Sequence, residues 1–365
     1  MPGPIDPDPA LDFDLTKATT RNHVYVNKTL RHPYFQTMAH QPMHINHWIE
    51  IDKEYQWYLA EKAKVIKEQG KKVLDSLPEN DDACAELLEI LVDYLIKRYP
   101  TLFSKLDKES GDGIWNKVTD EKLVGLTGKS GVDALLMVSR LVQDDFLMAR
   151  ERADGHIYLV GGLVGFPGFY LLSETIGRAV HTIHAPVPYF NQKLLMSVER
   201  TLKRFGPDQS FERSSWSIVD DRNLFWHHSV SESIHEQLHA KDLWLRVDHQ
   251  TFRKLPRTQV IVFGVHPMMK RMEDLEDSPL VPALLAKIHT DSEQCLLDYK
   301  GAPKYSELLI PYLRELTQRQ IERGLIQASD DVREFRDLVK DGRIPNTQSS
   351  LAEPTESETL IGQMG

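Results

Sequence analysis

Cysteine is the scarcest chemistry in this 365-residue chain, which carries only Cys84 and Cys295. Two thiols cannot hold an iron–sulfur cluster or a four-cysteine zinc site, cannot build a disulfide scaffold, and fit a reducing intracellular compartment. Long apolar runs are also lacking. The longest, residues 157–172, is shorter than the roughly 20 residues of a membrane helix and is interrupted by Gly161, Gly162, Gly165, Pro167 and Gly168. Those glycines do not follow the Gly-x-Gly-x-x-Gly order that opens a helix, so the segment reads as close backbone packing rather than a dinucleotide or flavin cradle. Clustered lysine and arginine are missing too, and the net charge of −10 opposes nucleic acid and anionic membranes as partners. The first residues, Met1-Pro2-Gly3-Pro4-Ile5-Asp6, have neither the basic start nor the apolar core of a secretory signal. A cytoplasmic location is the expectation.

What is present suits an enzyme-sized globular chain. With 41% apolar residues it can bury a substantial core. Residues 54–77 and 82–98 read as amphipathic helices, the second capped by Asp81 or Asp82 and closed before Pro100; residues 131–151 read as a further helix. Strand character concentrates in the centre, at 156–164, 243–248 and 259–265, where β-branched residues alternate with polar ones. Helical periodicity returns at 191–204, 231–241, 281–289 and 304–324. The pattern predicts an α+β fold. Residues 1–30 are expected to be a flexible segment, 31–325 the domain, 326–342 a C-terminal helix and 343–365 a disordered, polar tail.

Histidines supply the chemistry. His181 and His184 lie three residues apart, followed by Pro186 and Pro188. Each proline fixes its own φ and pushes the preceding residue towards an extended conformation, so the backbone after His184 is stiff and can present an imidazole in one direction. A second pattern, His235-Glu236-Gln237-Leu238-His239, matches His-Glu-x-x-His, in which two helical histidines bind zinc and the glutamate activates water. The surroundings work against it: strand character begins almost at once, at residue 243, and no later helix offers an obvious third ligand. His266, before Pro267 and two methionines, is another stiffened candidate, and His227-His228 reads as a solvent-facing pair.

Several longer segments agree in order and spacing: Pro33-Tyr34-Phe35, Trp48-Ile49-Glu50-Ile51-Asp52, Val142-Gln143-Asp144-Asp145-Phe146-Leu147, Gly165-Phe166-Pro167-Gly168-Phe169, Arg213-Ser214-Ser215-Trp216, and the run Leu245-Arg246-Val247-Asp248-His249-Gln250-Thr251-Phe252. Over residues 30–325 the chain resembles the haem-dependent oxidative N-demethylase-like family. The resemblance implies a PAS-like antiparallel sheet that binds haem b, with helical N- and C-terminal additions. It also implies oxidation, with O₂, of a C–H group beside nitrogen in a small amine or related metabolite. Lacking a flavin motif or a cysteine quartet, the chain would take electrons from a separate flavin or iron–sulfur reductase. A haem sensor without catalysis is the alternative within the same fold.

Haem needs an axial ligand and cations for its propionates. His184 is the candidate axial ligand, with His181 as the second choice or as a supporting hydrogen-bond donor, and His266 as the third. Arg178, Arg213 and Arg246 are candidate propionate partners, because a planar guanidinium grips a carboxylate with two hydrogen bonds. Glu174 is the candidate to bind a cationic amine or relay protons, assisted by the Tyr170 hydroxyl. One departure stands out. Where the family pattern runs Leu-Arg-Val-Glu-Arg-Gln, this chain has Asp248 and His249, a shorter acid and a weaker, titratable base.

Overall fold

The computed structural model describes residues 6–21, 30–107, 111–226 and 238–334. Its centre is an antiparallel sheet in the order β1-β8-β9-β10-β6-β7-β2. These strands are β1 (Gln41–Pro42), β2 (Leu74–Ser76), β6 (Asp145–Glu151), β7 (Ile157–Leu163), β8 (Phe211–Val219), β9 (Trp244–Lys254) and β10 (Ile261–Arg271). A small second sheet joins β3 (Phe103–Lys105), β4 (Gly113–Asn116) and β5 (Glu121–Val124). The α+β expectation is met by this arrangement.

Helices cover both faces of the large sheet. One face carries α1 (Tyr55–Gln69), α2 (Asp81–Arg98) and α3 (Gly131–Ser139) at one end, packed with Phe146, Met148, Leu163 and Val262 of the strands. At its other end the same face carries α7 (Val281–Asp291), α8 (Gln294–Tyr299) and α9 (Ser306–Glu322), packed with Trp216, Ile218, Leu245 and Val247. The opposite face is covered by short pieces: α4 (Leu172–Thr175), α5 (Val180–Ile183) and, after a π-turn at Phe190–Leu194, α6 (Leu195–Arg204).

Local sequence explains the layers. In α2 the buried Cys84, Leu87, Leu88, Leu91 and Leu95 recur at helical spacing, Asp81 and Asp82 occupy the first turn and Lys97 and Arg98 the last, complementing the helix dipole. The helix expected over 54–77 stops at Gln69, because Gly70 turns out of the helical region at φ 53° and the chain passes into β2. The helix expected over 131–151 is likewise split. It ends at Ser139, and residues 145–151 form β6, an interior strand between β10 and β7. Phe146 and Met148 face the helices while Leu147 and Ala149 face the other layer, so both sides are apolar and the alternation that marks a half-exposed strand is absent.

Gly161 and Gly162 do serve close packing: a Cβ on Gly161 would lie 2.5 Å from Asn80 Nδ2, and one on Gly162 would lie 2.6 Å from the Phe146 carbonyl. Residues 6–21, expected within a flexible segment, lie against the folded body: the Ala10 N–H donates to the Arg98 carbonyl at 2.8 Å, and half-buried Arg21 binds Glu50 at 2.6 Å and Glu212 at 2.5 Å. His227, His228, His235, Glu236, most of the helix expected at 231–241 and everything after Glu334 lie outside the described residues. His239 caps a 3₁₀ turn, Ala240–Asp242. Of the helix expected at 326–342 only residues up to Glu334 are described, and these are turn and irregular chain up to residue 331 followed by a 3₁₀ turn at Val332–Glu334.

Candidate functional site

Between the sheet and the α4–α6 layer lies a cavity of about 360 Å³. That is within the range of small-molecule and cofactor pockets. Strand alternation builds its floor: Arg213 and Ser215 of β8, Arg246, Asp248, Gln250 and Phe252 of β9, Ile261, Phe263 and Val265 of β10, and Asp145, Leu147 and Ala149 of β6 all point into it. Leu172, Val180, Ile183, Val187, Phe190, Val198 and Leu202 close it from above, and the turn from Phe166 to Tyr170 forms one wall.

That wall is held by the motif segments found in the sequence. Lys62, fully buried, donates its Nζ to the carbonyls of Val142 at 3.1 Å, Gln143 at 2.9 Å and Asp144, and lies 3.3 Å from Asp145 Oδ1. Asp145 Oδ2 accepts the Phe166 N–H at 2.6 Å. Burial lowers the Lys62 ammonium and raises the Asp145 carboxyl, each offset by the other's charge. From the far side Arg246 donates to the Phe166 carbonyl at 2.6 Å, the Pro167 carbonyl at 3.3 Å, the Leu224 carbonyl at 3.2 Å and Asp248 Oδ1 at 2.8 Å. Gln143 and Asp52 are tied by reciprocal bonds of 3.0 and 3.1 Å, which fixes the segment leading into β6.

His184 lines the cavity at the end of α5. Its Nδ1 lies 2.9 Å from the Val180 carbonyl, so that nitrogen carries the proton and Nε2 is the ring's free lone pair. The ring stacks on Phe190 at 4.5 Å and 19°. Burial, helped by the charge of Arg213, pushes its pKa down despite the bond to Val180, which keeps the imidazole neutral near pH 7.

Two basic side chains mark the polar end. Arg213 lines the cavity, its Nε is buried without a hydrogen-bond partner, and burial lowers its pKa, opposed by the nearby Tyr34 and Tyr299. Lys300 lies beside it, donating to the Trp216 carbonyl at 2.6 Å and sitting 4.7 Å from that indole's centre. Burial, with help from the Arg213 charge and against Asp248, brings Lys300 to about 7. The Tyr34 hydroxyl at this end is also buried without a partner.

The sequence candidates therefore divide. His184, Tyr170, Arg213 and Arg246 share the cavity. Arg246 is already occupied by three carbonyls and Asp248, so it braces the wall. Arg178 is exposed and donates to the Glu174 carbonyl at 3.1 Å, outside the cavity. Glu174 accepts the Leu171 N–H at 2.9 Å and caps α4. Tyr170 is half-buried, and burial, with the Glu174 charge, raises its pKa. His181 packs edge-on against His156 at 4.7 Å, away from the cavity lining. His266 is buried on the other face, with Nδ1 3.5 Å from Asp144 and its ring 5.5 Å from that of Tyr58. At the divergent pair, Asp248 faces the cavity, whereas His249 faces the helices and bonds Glu212 at 3.0 Å. The side chain at 249 is therefore absent from the cavity lining.

Lys300 and Tyr299 carry no signal in the sequence, and Tyr34 stands out there only as part of a motif segment, without a site role. Nothing in Asp298-Tyr299-Lys300-Gly301 signals a buried ammonium; only the fold brings it against β8.

Fold and site define an α+β protein with a largely apolar, partly open cavity that presents His184 and, at its polar end, the basic side chains of Arg213 and Lys300. Residues 39–310 match the family described as haem-dependent oxidative N-demethylase, alpha subunit-like, and the chain belongs to that family. The match covers the whole of the large sheet and every cavity-lining element after Met38. Among the described residues no helix is long and apolar enough to cross a membrane.

Proposed function

We propose that this protein is the haem-binding subunit of a multi-component oxidase that oxidises a C–H group beside nitrogen in a small amine. His184 carries this reading: its Nδ1 is tied to the Val180 carbonyl, and its remaining nitrogen belongs to a neutral ring on the wall of an apolar cavity. Arg213, with its orphaned Nε, and Lys300 fit the carboxylates of a haem b at the polar end. Haem would supply the redox centre that works on O₂, with electrons from a separate flavin or iron–sulfur protein, consistent with the subunit character in the family's description. The sheet is read as PAS-like on the same grounds.

The chain's residues would each have a defined task. The His184–Val180 bond holds the imidazole in one tautomer. Phe169, Phe190 and Phe263 keep water from the reacting C–H bond. Asp248 gives Oδ1 to Arg246 and directs Oδ2, 3.5 Å from the Ser215 hydroxyl, towards the cavity, where it can accept an N–H from a protonated amine. Tyr170 keeps its proton at Oη across the physiological range and can donate it to a bound polar atom. Glu174 acts on α4 through the Leu171 amide rather than on the substrate.

The test is turnover of haem-loaded protein with a surrogate reductase and a panel of N-methylated amines, followed by formaldehyde. Amine-dependent formaldehyde that falls at least tenfold in Asp248→Asn supports the assignment. Full haem loading with no product from any amine would overturn catalysis in favour of a sensing module.

A further inference from the structure

A second cluster of ligand groups sits outside the cavity. The Leu159 N–H donates to the Arg178 carbonyl at 3.0 Å and the Gly177 N–H to the Leu159 carbonyl at 2.7 Å, so residues 177–179 pair with the start of β7 through an antiparallel bridge between Tyr158 and Ala179. Continuing that register by two residues on each chain puts His156 opposite His181. Their rings are 4.7 Å apart. Glu199, on the facing turn of α6, approaches His156 Nδ1 with Oε1 at 3.1 Å. One ligand atom from each of the three residues falls within 4.8 Å of the others. His181 Nδ1 is buried and has no hydrogen-bond partner, which is costly for an imidazole unless something else completes it. Lys203, one turn after Glu199, is engaged by the Gly155 carbonyl and Glu151 and does not neutralise that carboxylate.

We propose that His156, His181 and Glu199 form a binding site for a divalent transition-metal ion, zinc foremost. Two imidazoles and one carboxylate are a donor set for such ions, leaving a fourth position for water. Bonds of ~2.0 Å need ligand atoms roughly 3.3 Å apart in a tetrahedron, so binding draws the three side chains inwards by an ångström or so. The site has a structural consequence. Its ligands come from the residue just before β7, from α5 and from α6, and His181 is three residues before His184, so the ion would clip two covering helices of the cavity to the edge of β7. This inference stands apart from the haem reading.

The experiment titrates chelator-treated full-length protein with zinc, reading bound zinc per chain by elemental analysis and the melting temperature alongside. The variants are His156→Ala, at a partly exposed position before β7, and Glu199→Gln, which keeps the side chain's size, with a His235→Ala/His239→Ala double variant to remove the other zinc pattern. The expected result is one equivalent of zinc that raises the melting temperature, with affinity falling at least tenfold in both single variants and unchanged in the double variant. Cobalt substitution should add visible bands of a nitrogen- and oxygen-ligated tetrahedral ion that vanish in Glu199→Gln. Zinc binding that survives in both single variants, or no binding by the wild type in the micromolar range, would overturn the proposal.

Discussion

Replacing Lys300 with methionine should change how stability depends on pH. The ammonium is buried among Trp216, Arg213 and Tyr299, and its pKa falls from 10.5 to about 7. At about 1.4 kcal/mol per pH unit, that fall represents on the order of 5 kcal/mol against the charged form in the folded protein. The sign follows from proton counting. Between about pH 7 and 10.5 the unfolded chain holds a proton on Lys300 that the folded chain has released, so unfolding takes up a proton and stability rises with pH across that window. Below pH 7 both states are charged and the penalty is complete. The comparison is urea unfolding of wild type and Lys300→Met at pH 6, 7, 8 and 9, without added cofactor. Wild type should gain on methionine by about 1 kcal/mol for each pH unit above 7. The lost bond to the Trp216 carbonyl adds a pH-independent offset of about 1–3 kcal/mol and does not alter the slope. An anion bound at this end should raise Lys300 again and move the window upwards. Parallel pH profiles for the two proteins would refute the assignment of a buried, uncompensated ammonium.

Four further substitutions test the geometry. Arg213→Met should weaken haem binding by tenfold or more, about 1.5–3 kcal/mol for a charge-assisted bond, and the difference from wild type should disappear with the dimethyl ester of the porphyrin. Asp248→Ala leaves Arg246, 1% exposed, without its carboxylate and should cost about 3–5 kcal/mol in chemical denaturation, whereas Glu174→Gln should cost less than about 1 kcal/mol because it alters one cap. Gly162→Ala places a Cβ against the Phe146 carbonyl in the β6–β7 pair and should lower stability by about 1–3 kcal/mol, read as a fall in melting temperature.

Legibility in the sequence followed the physics of each element. Helix α2 could be bounded to within a residue because one face is apolar, its ends carry opposite charges and Pro100 follows. Strand β6 could not, since both of its faces are covered and it joined the preceding helix in one apolar run. The proline-flanked histidine pair drew notice locally, yet which of the two meets the cavity depends on the bridge between Tyr158 and Ala179, a contact between distant residues. The motif segments proved informative in a different way. Val142 to Leu147, Gly165 to Phe169 and the run around Arg246 form the bracing of the cavity wall, with Lys62 at its centre, and only Asp145, Arg246 and Asp248 of their charged residues also face inwards. Arg178 and Glu174 look like ligands because charge near a stiff histidine suggests a site; Glu174 instead caps the short helix α4 that contains it, and Arg178 donates to that residue's carbonyl. Lys300 had no local signature at all.

The most direct test of the account is haem titration of the cofactor-free protein and of His184→Ala, followed by absorption spectra of both. The wild-type chain should bind one haem with the signature of a histidine-ligated iron, His184→Ala should bind it more weakly with a changed spectrum, and added imidazole should restore the wild-type spectrum to the variant. Equal affinity and an identical spectrum in the two proteins would contradict the central place given to His184.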